Sequence, residues 1–208
     1  MKSSFAIFDV DYTIINEDSM FLMLFFALRK KPILILYTPI ILVKIVLALL
    51  KIIDVKIAKE AIYLPLKYLT ESDLEEFYYN VLLRKINLKV MKRLNFHKEQ
   101  GCRILLVSAS PEVYLQYFKE NSSIDVIIGT KLKIVDGKYT NKIHGENCKG
   151  IEKVNRINCY LNENNLEIDF DNSFGYSDSL SDKPMLSLVK NRYKVTKNEL
   201  EIKEFIWQ

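Results

Sequence analysis

Short apolar runs recur along the chain, and several of them end at a polar side chain. Residues 4–9 and 103–108 have the length and composition of buried strands. Three shorter runs predict further strands at residues 126–128, 172–176 and 193–195. Because segments of helical composition, such as residues 150–162, separate these strands, the pattern predicts an α/β fold with a parallel sheet.

One long block without strand signals follows the first run. Residues 16–95 have helical composition throughout, and Thr70 is a helix start with acidic residues in the first turn after it. Because this block lies between the first two strands, it predicts an all-helical cap. The core would then consist of residues 1–15 and 96–208.

Residues 33–50 are the most apolar part of the cap, with Lys44 as their one charge and Pro39 inside them. Their length alone is that of a membrane span. Lys44, Pro39 and the lysines that follow favour a helical hairpin packed within the protein. A helix lying in the membrane interface is the alternative, since apolar faces rimmed by lysines bind there.

The bulk composition narrows the class of protein. The 208 residues are 49% hydrophobic and 27% charged, which is typical of one globular domain with a sizeable insert. Residues 16–95 hold 13 basic and 8 acidic residues, whereas the rest holds 17 and 18. This local excess does not indicate nucleic acid binding, and it fits an anionic substrate or an anionic surface.

The numbers and spacing of cysteine and histidine residues indicate the cellular compartment of the protein and the kind of metal site it could have. The three cysteines are odd in number and widely spaced, which predicts reduced thiols and a cytoplasmic protein. Peripheral contact with the inner membrane face through residues 20–60 is the alternative. His97 and His144 are far apart, which argues against a histidine-rich zinc site, and we expect both on the surface or in loops. No signal peptide is expected, because acidic residues interrupt the first apolar run.

Polar side chains stand where three of the predicted strands end. Asp9 and Asp11 close the first strand, Ser108 closes the second, and Asp178 follows the fourth. Buried carboxylates are costly without partners, and the carboxyl ends of parallel strands form the ligand-binding edge of an open α/β sheet. The sequence therefore predicts a metal-assisted phosphoryl-transfer site at this edge. Ser110 with Pro111 also predicts a helix N-terminus beside it.

Four segments resemble, in the right order, the four motifs of the haloacid dehalogenase superfamily. They are Asp9-Val10-Asp11-Tyr12-Thr13, Ser108-Ala109-Ser110, the lysine region 149–154, and Ser177-Asp178 with the following run to Asp182. The resemblance implies a Rossmann-like parallel sheet core with helices on both faces. The helical insert is similar to the cap of the phosphoserine-phosphatase-like branch (subfamily IB). Its apolar, lysine-rich sequence resembles a subgroup that includes a phosphatidylglycerophosphate phosphatase.

The resemblance also implies a chemistry and a magnesium cofactor. Asp9 would be the nucleophile that forms an aspartyl-phosphate, and Asp11 would be general acid and then general base. Asp9, the Asp11 carbonyl oxygen and Asp178 would bind Mg²⁺. Asp182 and Thr13 would not bind the ion themselves but would hold its ligands in position.

The phosphate group would have its own ligands in this scheme. Ser108 and the backbone N–H of Ala109 would hold its oxygens. A lysine would add a positive charge that stabilises the phosphoryl oxygens in the transition state. Lys153 fits the Gly-x-x-Lys-Val spacing and is preferred, while Lys149, which precedes a glycine, is the alternative.

Two residues depart from the family pattern on the substrate side. Tyr12 stands where the superfamily usually has glycine or serine, and its bulk would lie beside the site. Asp18 stands where phosphoserine phosphatases have a glutamate that meets the substrate amine. The departure at Asp18 argues against phosphoserine as the substrate.

The sequence is compatible with several functions. The leading one is an Mg²⁺-dependent phosphomonoester phosphatase acting on a phosphorylated small molecule. A lipid-phosphate phosphatase at a membrane surface is the second, and a non-catalytic binding or regulatory protein of the same fold is the third. A phosphotransferase is also open, because the acceptor depends on whether the cap admits water. The pattern leaves the oligomeric state unassigned.

Overall fold

Ten strands and eight α-helices lie within residues 2–196 and 202–204, the part of the chain that this computed structural model describes. The strands are β1 Lys2–Ser3, β2 Phe5–Phe8, β3 Arg103–Pro111, β4 Val126–Thr130, β5 Leu132–Val135, β6 Lys138–Ile143, β7 Glu167–Ile168, β8 Phe174–Ser177, β9 Asn191–Val195 and β10 Ile202–Glu204. The α-helices are α1 Ser19–Lys30, α2 Thr38–Leu49, α3 Val55–Ile62, α4 Glu71–Phe77, α5 Leu88–Glu99, α6 Glu112–Leu115, α7 Ile151–Glu163 and α8 Lys183–Leu186.

Six strands form the central sheet, in the order β10-β9-β8-β2-β3-β4. Its strands pair in parallel, except that β10 runs antiparallel to β9. The predicted α/β fold with a parallel sheet is therefore confirmed. Strand β2 lies between β8 and β3, so the three strands that carry the predicted polar residues are neighbours.

Strand β2 is buried on both faces, as expected in a parallel sheet covered by helices. Phe5 and Ile7 belong to an apolar cluster with residues of α7 and α8. Ala6 and Phe8 point the other way, into a larger cluster that includes residues of α1, α4 and α5. The cap and one face of the sheet thus share a single apolar core.

The chain between β2 and β3 is helical, as predicted for the cap. Isolated bridges at Asp11, Ile15 and Ile86 are the extended pairings within residues 9–102, all of which are described. Thr70 begins α4 with a capping box that it shares with Asp73, which confirms the predicted helix start.

Helix α5 continues across the predicted domain boundary between residues 95 and 96. The boundary itself stays a prediction. His97 of α5 is only 2% exposed, and His97 Nε2 lies 2.7 Å from the Tyr176 hydroxyl of β8. The expectation of a surface or loop histidine is therefore wrong for His97. Burial lowers the pKa of this imidazole to about 4, so it packs in the core as a neutral ring. His144 is exposed, as expected.

Strand β3 extends to Pro111, three residues beyond its predicted end at Ser108. Helix α6 begins after it, at Glu112, without a side-chain cap. The predicted N-cap at Ser110 is therefore wrong. The physical reason is a stronger acceptor, because Ser110 Oγ donates to the carboxylate of Asp11 at 2.7 Å.

The apolar stretch at 33–50 forms a 3₁₀ segment, Pro32–Tyr37, followed by α2. Leu34 and Ile41 are buried in the core shared with the sheet, but most other apolar side chains of the stretch are exposed. The expectation that the stretch packs within the protein is therefore wrong for its outer face. Among the described residues, Pro32–Leu49 is the helical stretch long and apolar enough to cross a membrane, judged by length and composition only.

Candidate active site

The polar residues at the ends of β2, β3 and β8 meet in a pocket of about 240 Å³ between the sheet edge and the cap. The residues that line it are Asp9, Asp11, Tyr12, Asp18, Met20, Lys59, Ala109, Ser110, Lys149, Lys153, Asp178, Ser179, Ser181 and Asp182. Ser108 and Thr13 do not line it, and both are fully buried behind its wall. The predicted strand-end residues are thus brought together from three adjacent strands.

Asp9 is held by a lysine that it shares with a second aspartate. Lys153 Nζ lies 2.7 Å from Asp9 Oδ1 and 2.8 Å from Asp182 Oδ2, and the three side chains are almost completely buried. The two carboxylates hold the pKa of Lys153 above its usual range, against the effect of burial. Burial raises the pKa of Asp9 to about 7, with Lys153 acting in the opposite direction.

Thr13 connects the end of β2 to the end of β8. Its hydroxyl accepts a hydrogen bond of 3.1 Å from the backbone N–H of Asp178 and lies 3.5 Å from Asp9 Oδ2. Ser177 Oγ donates to Asp182 Oδ2 at 2.7 Å, which fixes the aspartate behind Lys153. These contacts set the distance between the two strand ends that carry Asp9 and Asp178.

Asp11 is surrounded by hydrogen-bond donors. Its Oδ1 accepts from the backbone N–H of Ser19 at 2.6 Å. Its Oδ2 accepts from Ser108 Oγ at 3.0 Å and from Ser110 Oγ at 2.7 Å. A serine hydroxyl has one hydrogen to donate, so Ser108 would have to leave Asp11 before it could donate to a phosphate oxygen.

A β-bulge places Ala109 at the pocket wall. The ladder between β3 and β4 passes from Val107 opposite Ile128 to Pro111 opposite Thr130, so residues 108–110 lie outside its register. The Ala109 carbonyl is held by Thr130 Oγ1 at 2.8 Å and by Lys59 Nζ at 3.2 Å. The bulge thereby turns this part of β3 towards the pocket.

The two candidate motif lysines occupy different places. Lys153 forms the buried ion pairs with Asp9 and Asp182, whereas Lys149 lies on the pocket wall just before α7. The geometry therefore favours Lys153 as the lysine that acts next to Asp9.

Tyr12 and Asp18 both line the pocket. Tyr12 has φ of 58°, in the left-handed region that favours glycine, so the backbone is strained at this position. Asp18 caps α1 by accepting from Met20 N and Phe21 N. Burial and nearby Asp11 raise its pKa. Asp18 thus has a structural role as well as a place at the pocket.

Lys59 is a pocket residue that the sequence did not indicate. It lies on α3 of the cap, and its Nζ donates to Ala109 O at 3.2 Å and to Asn147 Oδ1 at 3.0 Å. Burial, together with Lys149, lowers the pKa of Lys59 to about 8. In the sequence it is one of several lysines after the apolar stretch, and no spacing sets it apart.

The residues of the pocket fit a magnesium ion by their chemistry. Its walls carry five aspartates and three lysines, a formal net charge of −2, which would repel a phosphate ester without a further cation. Among the described residues no three His, Cys, Asp or Glu side chains form a ready metal cluster. Mg²⁺ does not need one, since it binds through one or two carboxylates, a carbonyl and waters. Asp9, Asp178 and the Asp11 carbonyl are oxygen donors of that kind.

The sequence profile of the haloacid dehalogenase-like hydrolase family matches residues 6–187. That range covers most of the chain and all the pocket residues, so the chain belongs to this family. The superfamily suggested by the four motifs is thereby confirmed.

Two of the relatives are named as phosphatases, and their names give different substrates. A histidinol-phosphatase of Neisseria meningitidis is 29% identical over 152 residues, which are 69% of this chain and 68% of that protein. A phosphoserine phosphatase of Mycobacterium tuberculosis is 28% identical over 115 residues, 55% of this chain. The match spans only 37% of that mycobacterial protein.

Solved structures share the fold at low sequence identity. A protein of unknown function from Bordetella pertussis Tohama I has a TM-score of 0.80 at 22% identity, with 92% of this chain and 89% of that chain covered. A substrate-bound phosphoserine phosphatase has a TM-score of 0.64 at 16% identity, with 92% and 85% covered. The expected likeness to the phosphoserine-phosphatase-like branch therefore holds for the fold.

Proposed function

We propose that the chain is an Mg²⁺-dependent phosphomonoester phosphatase with Asp9 as its nucleophile. The observation that carries this proposal is the buried Asp9 carboxylate on the pocket wall, fixed through Oδ1 by Lys153. Its Oδ2 has the longer contact, 3.5 Å to Thr13 Oγ1. We therefore assign Oδ2 as the attacking oxygen.

The first half-reaction would transfer the phosphoryl group to the protein. Asp9 Oδ2 attacks phosphorus, and the bond from phosphorus to the substrate oxygen breaks. Asp11 gives a proton to that oxygen, so that a neutral alcohol leaves. Lys153 and the N–H of Ala109 would offset the charge of the phosphoryl oxygens.

The second half-reaction would release phosphate. Water attacks phosphorus, its proton passes to Asp11, and the bond from phosphorus to Asp9 breaks. Asp9, Asp178 and the Asp11 carbonyl would hold Mg²⁺, which would neutralise phosphate charge in both steps and let the Asp9 carboxylate approach the phosphate in the first. Asp182 would keep Lys153 in place through both steps.

Steady-state hydrolysis of p-nitrophenyl phosphate with Mg²⁺ tests this proposal. We expect Asp9→Asn to lower kcat by about 10³-fold or more, because an amide cannot act as the nucleophile. Asp171→Asn, at an exposed aspartate paired with Lys190, is the matched control and should retain full activity. Undiminished turnover in Asp9→Asn would refute the mechanism. If the wild-type chain turns over no member of a broad phosphate-ester panel, the non-catalytic alternative is correct.

A lipid phosphate is the second candidate substrate, in line with the resemblance to a phosphatidylglycerophosphate phosphatase. It is favoured by the exposed apolar side of the cap, because α2 packs against α3, the helix that bears Lys59. The test compares kcat/KM for phosphatidic acid in vesicles with kcat/KM for glycerol 3-phosphate. A higher value for glycerol 3-phosphate would assign a small-molecule substrate instead.

A further inference from the structure

The outer side of the cap carries a continuous series of exposed apolar residues. Ile33, Leu36, Ile40, Val43, Val46 and Leu49 are between 51% and 77% exposed, and we call these six residues the cap face. On α2 they recur every third residue, so they cover the half of the helix that lies opposite the buried Ile41. Water-exposed apolar surface of this kind marks an interaction site.

The inner side of the same stretch is fixed to the protein. Leu34 and Ile41 are each 2% exposed and belong to the apolar core that the cap shares with the sheet. A transmembrane orientation would have to pull both residues out of that core. The cap face is therefore suited to lie along a surface rather than to cross a bilayer.

The charge around the cap face is strongly positive. Residues 29–67 contain eight lysines and arginines but only two acidic residues. Lys44 and Lys51 form no ion pair with any residue in the described part of the chain, so their charges are not neutralised internally. Apolar side chains bordered by unpaired cations match the chemistry of an anionic lipid surface.

We propose that the cap face docks on the surface of an anionic lipid bilayer. Its apolar side chains would enter the boundary between headgroups and acyl chains, and Lys44 and Lys51 would meet anionic headgroups. A second copy of the chain is a less suitable partner. A two-fold contact between identical cap faces would bring the same lysines of both copies together, and residues 29–67 offer only two acidic residues to offset them.

Docking would also place the pocket near the headgroups. Val55, in the first turn of α3, is 56% exposed, and Lys59 lines the pocket one turn later. One helical turn rises about 5.4 Å. Access of a lipid phosphate to the pocket is a consequence that rests on the proposed function. Docking of the cap face on the bilayer does not depend on that function.

Co-sedimentation of the full chain with vesicles tests the proposal. The probes are vesicles of phosphatidylcholine alone and of phosphatidylcholine with an equal amount of phosphatidylglycerol. We expect about tenfold or more tighter binding to the anionic vesicles, weakening as salt is added. Absence of binding to both vesicles at low salt would overturn the proposal.

Variants separate the cap face from other exposed apolar residues. Val43→Glu with Leu49→Glu should reduce binding about tenfold or more, because charge is placed on the apolar side. Leu88→Glu is the matched control, since Leu88 is 72% exposed on α5, and it should bind like wild type. Equal losses in both variants would contradict the assignment of the cap face. Lys44→Gln with Lys51→Gln, which leaves the apolar residues intact, should lower the preference for anionic vesicles.

Two further controls make the outcomes distinct. Asp9→Asn should bind vesicles like wild type, so failure of the proposed catalysis would leave the docking result unaffected. Sedimentation velocity reports self-association of the wild-type chain. A dimer that Val43→Glu with Leu49→Glu converts to monomer, without lipid binding by the wild type, would assign the cap face to a second copy and overturn the proposal.

Discussion

At the scale of single residues, two lysines of the pocket differ in whether their positive charge is already balanced. Lys153 is neutralised by Asp9 and Asp182, whereas Lys59 is bound only to the neutral oxygens of Ala109 and Asn147. The charge of Lys59 is therefore available to a ligand. Since it lies on the cap, we expect it to act mainly in substrate binding.

Substitution of Lys59 should weaken substrate binding more than it slows the reaction. We expect Lys59→Met to raise KM about tenfold while kcat changes less, because one positive charge is removed from a net negative pocket. Lys56→Met, one turn earlier on α3 and outside the pocket, is the control. A fall in kcat at unchanged KM would contradict this role.

The pH dependence of KM offers a separate check on Lys59. Its pKa is lowered to about 8, so Lys59 is protonated below that pH and loses its charge as the pH rises through it. Wild-type KM should therefore rise above pH 8, while the KM of Lys59→Met should stay level. The phosphate itself does not interfere, because its second pKa is near 6. Parallel profiles in the two proteins would contradict the assignment.

The sequence predicted the strand-end residues but not Lys59, for a physical reason. Asp9, Asp11 and Asp178 follow apolar strands, and strand order alone brings their ends to one edge. The position of Lys59 depends on how α3 packs over that edge, which no local pattern records. The hydrogen bonds of Ser108 and Ser110 to Asp11 also depend on a bulge that apolar periodicity does not reveal.

At the scale of elements, the bulge in β3 depends on a glycine in the neighbouring strand. A Cβ at Gly129 of β4 would lie 2.8 Å from the Ser110 carbonyl oxygen and 2.9 Å from Glu112 Cγ. The nearest of these atoms, the Ser110 carbonyl oxygen, belongs to the backbone, so it cannot move away by a side-chain rotation. The lack of a side chain at Gly129 therefore leaves room for residues 108–110 in the conformation in which Ser108 and Ser110 donate to Asp11.

Replacing this glycine should affect both stability and activity. We expect Gly129→Ala to lower the free energy of unfolding by about 1–3 kcal/mol in urea titrations, because an added methyl overpacks the bulge. It should also lower kcat, since the donors to Asp11 shift. Gly137→Ala, in the β5–β6 turn with φ of 72°, should lose stability without losing kcat. Equal kcat in the two variants would contradict the coupling of the bulge to Asp11.

The ends of helices and strands were predictable only where particular residues, such as those of a capping box, mark them. The Thr70 capping box fixed the start of α4, whereas β1, β7 and β10 are only two or three residues long and too short to show a period. The apolar run of α2 indicated a helix correctly. It could not indicate which side faces solvent, because both sides of the run are apolar.

At the scale of the whole molecule, the cap and the sheet form one apolar core around a negatively charged pocket. A divalent cation bound there should stabilise the folded chain, because it relieves repulsion among the aspartates. We expect added Mg²⁺ to raise Tm by a few degrees in the wild type. The shift should shrink strongly in Asp178→Asn and persist in Asp171→Asn. An equal shift in all three proteins would contradict a site at Asp178.

The proposed mechanism requires the phosphoryl group to be bound covalently to Asp9 during turnover. The direct measurement is acid-quenched mass spectrometry of Asp11→Asn during turnover of p-nitrophenyl phosphate, whose leaving group needs no proton. We expect one phosphoryl group to accumulate on Asp9, because the base that activates water is absent. Turnover by the wild type without any phosphoryl adduct in either protein, or an adduct on another residue, would contradict it.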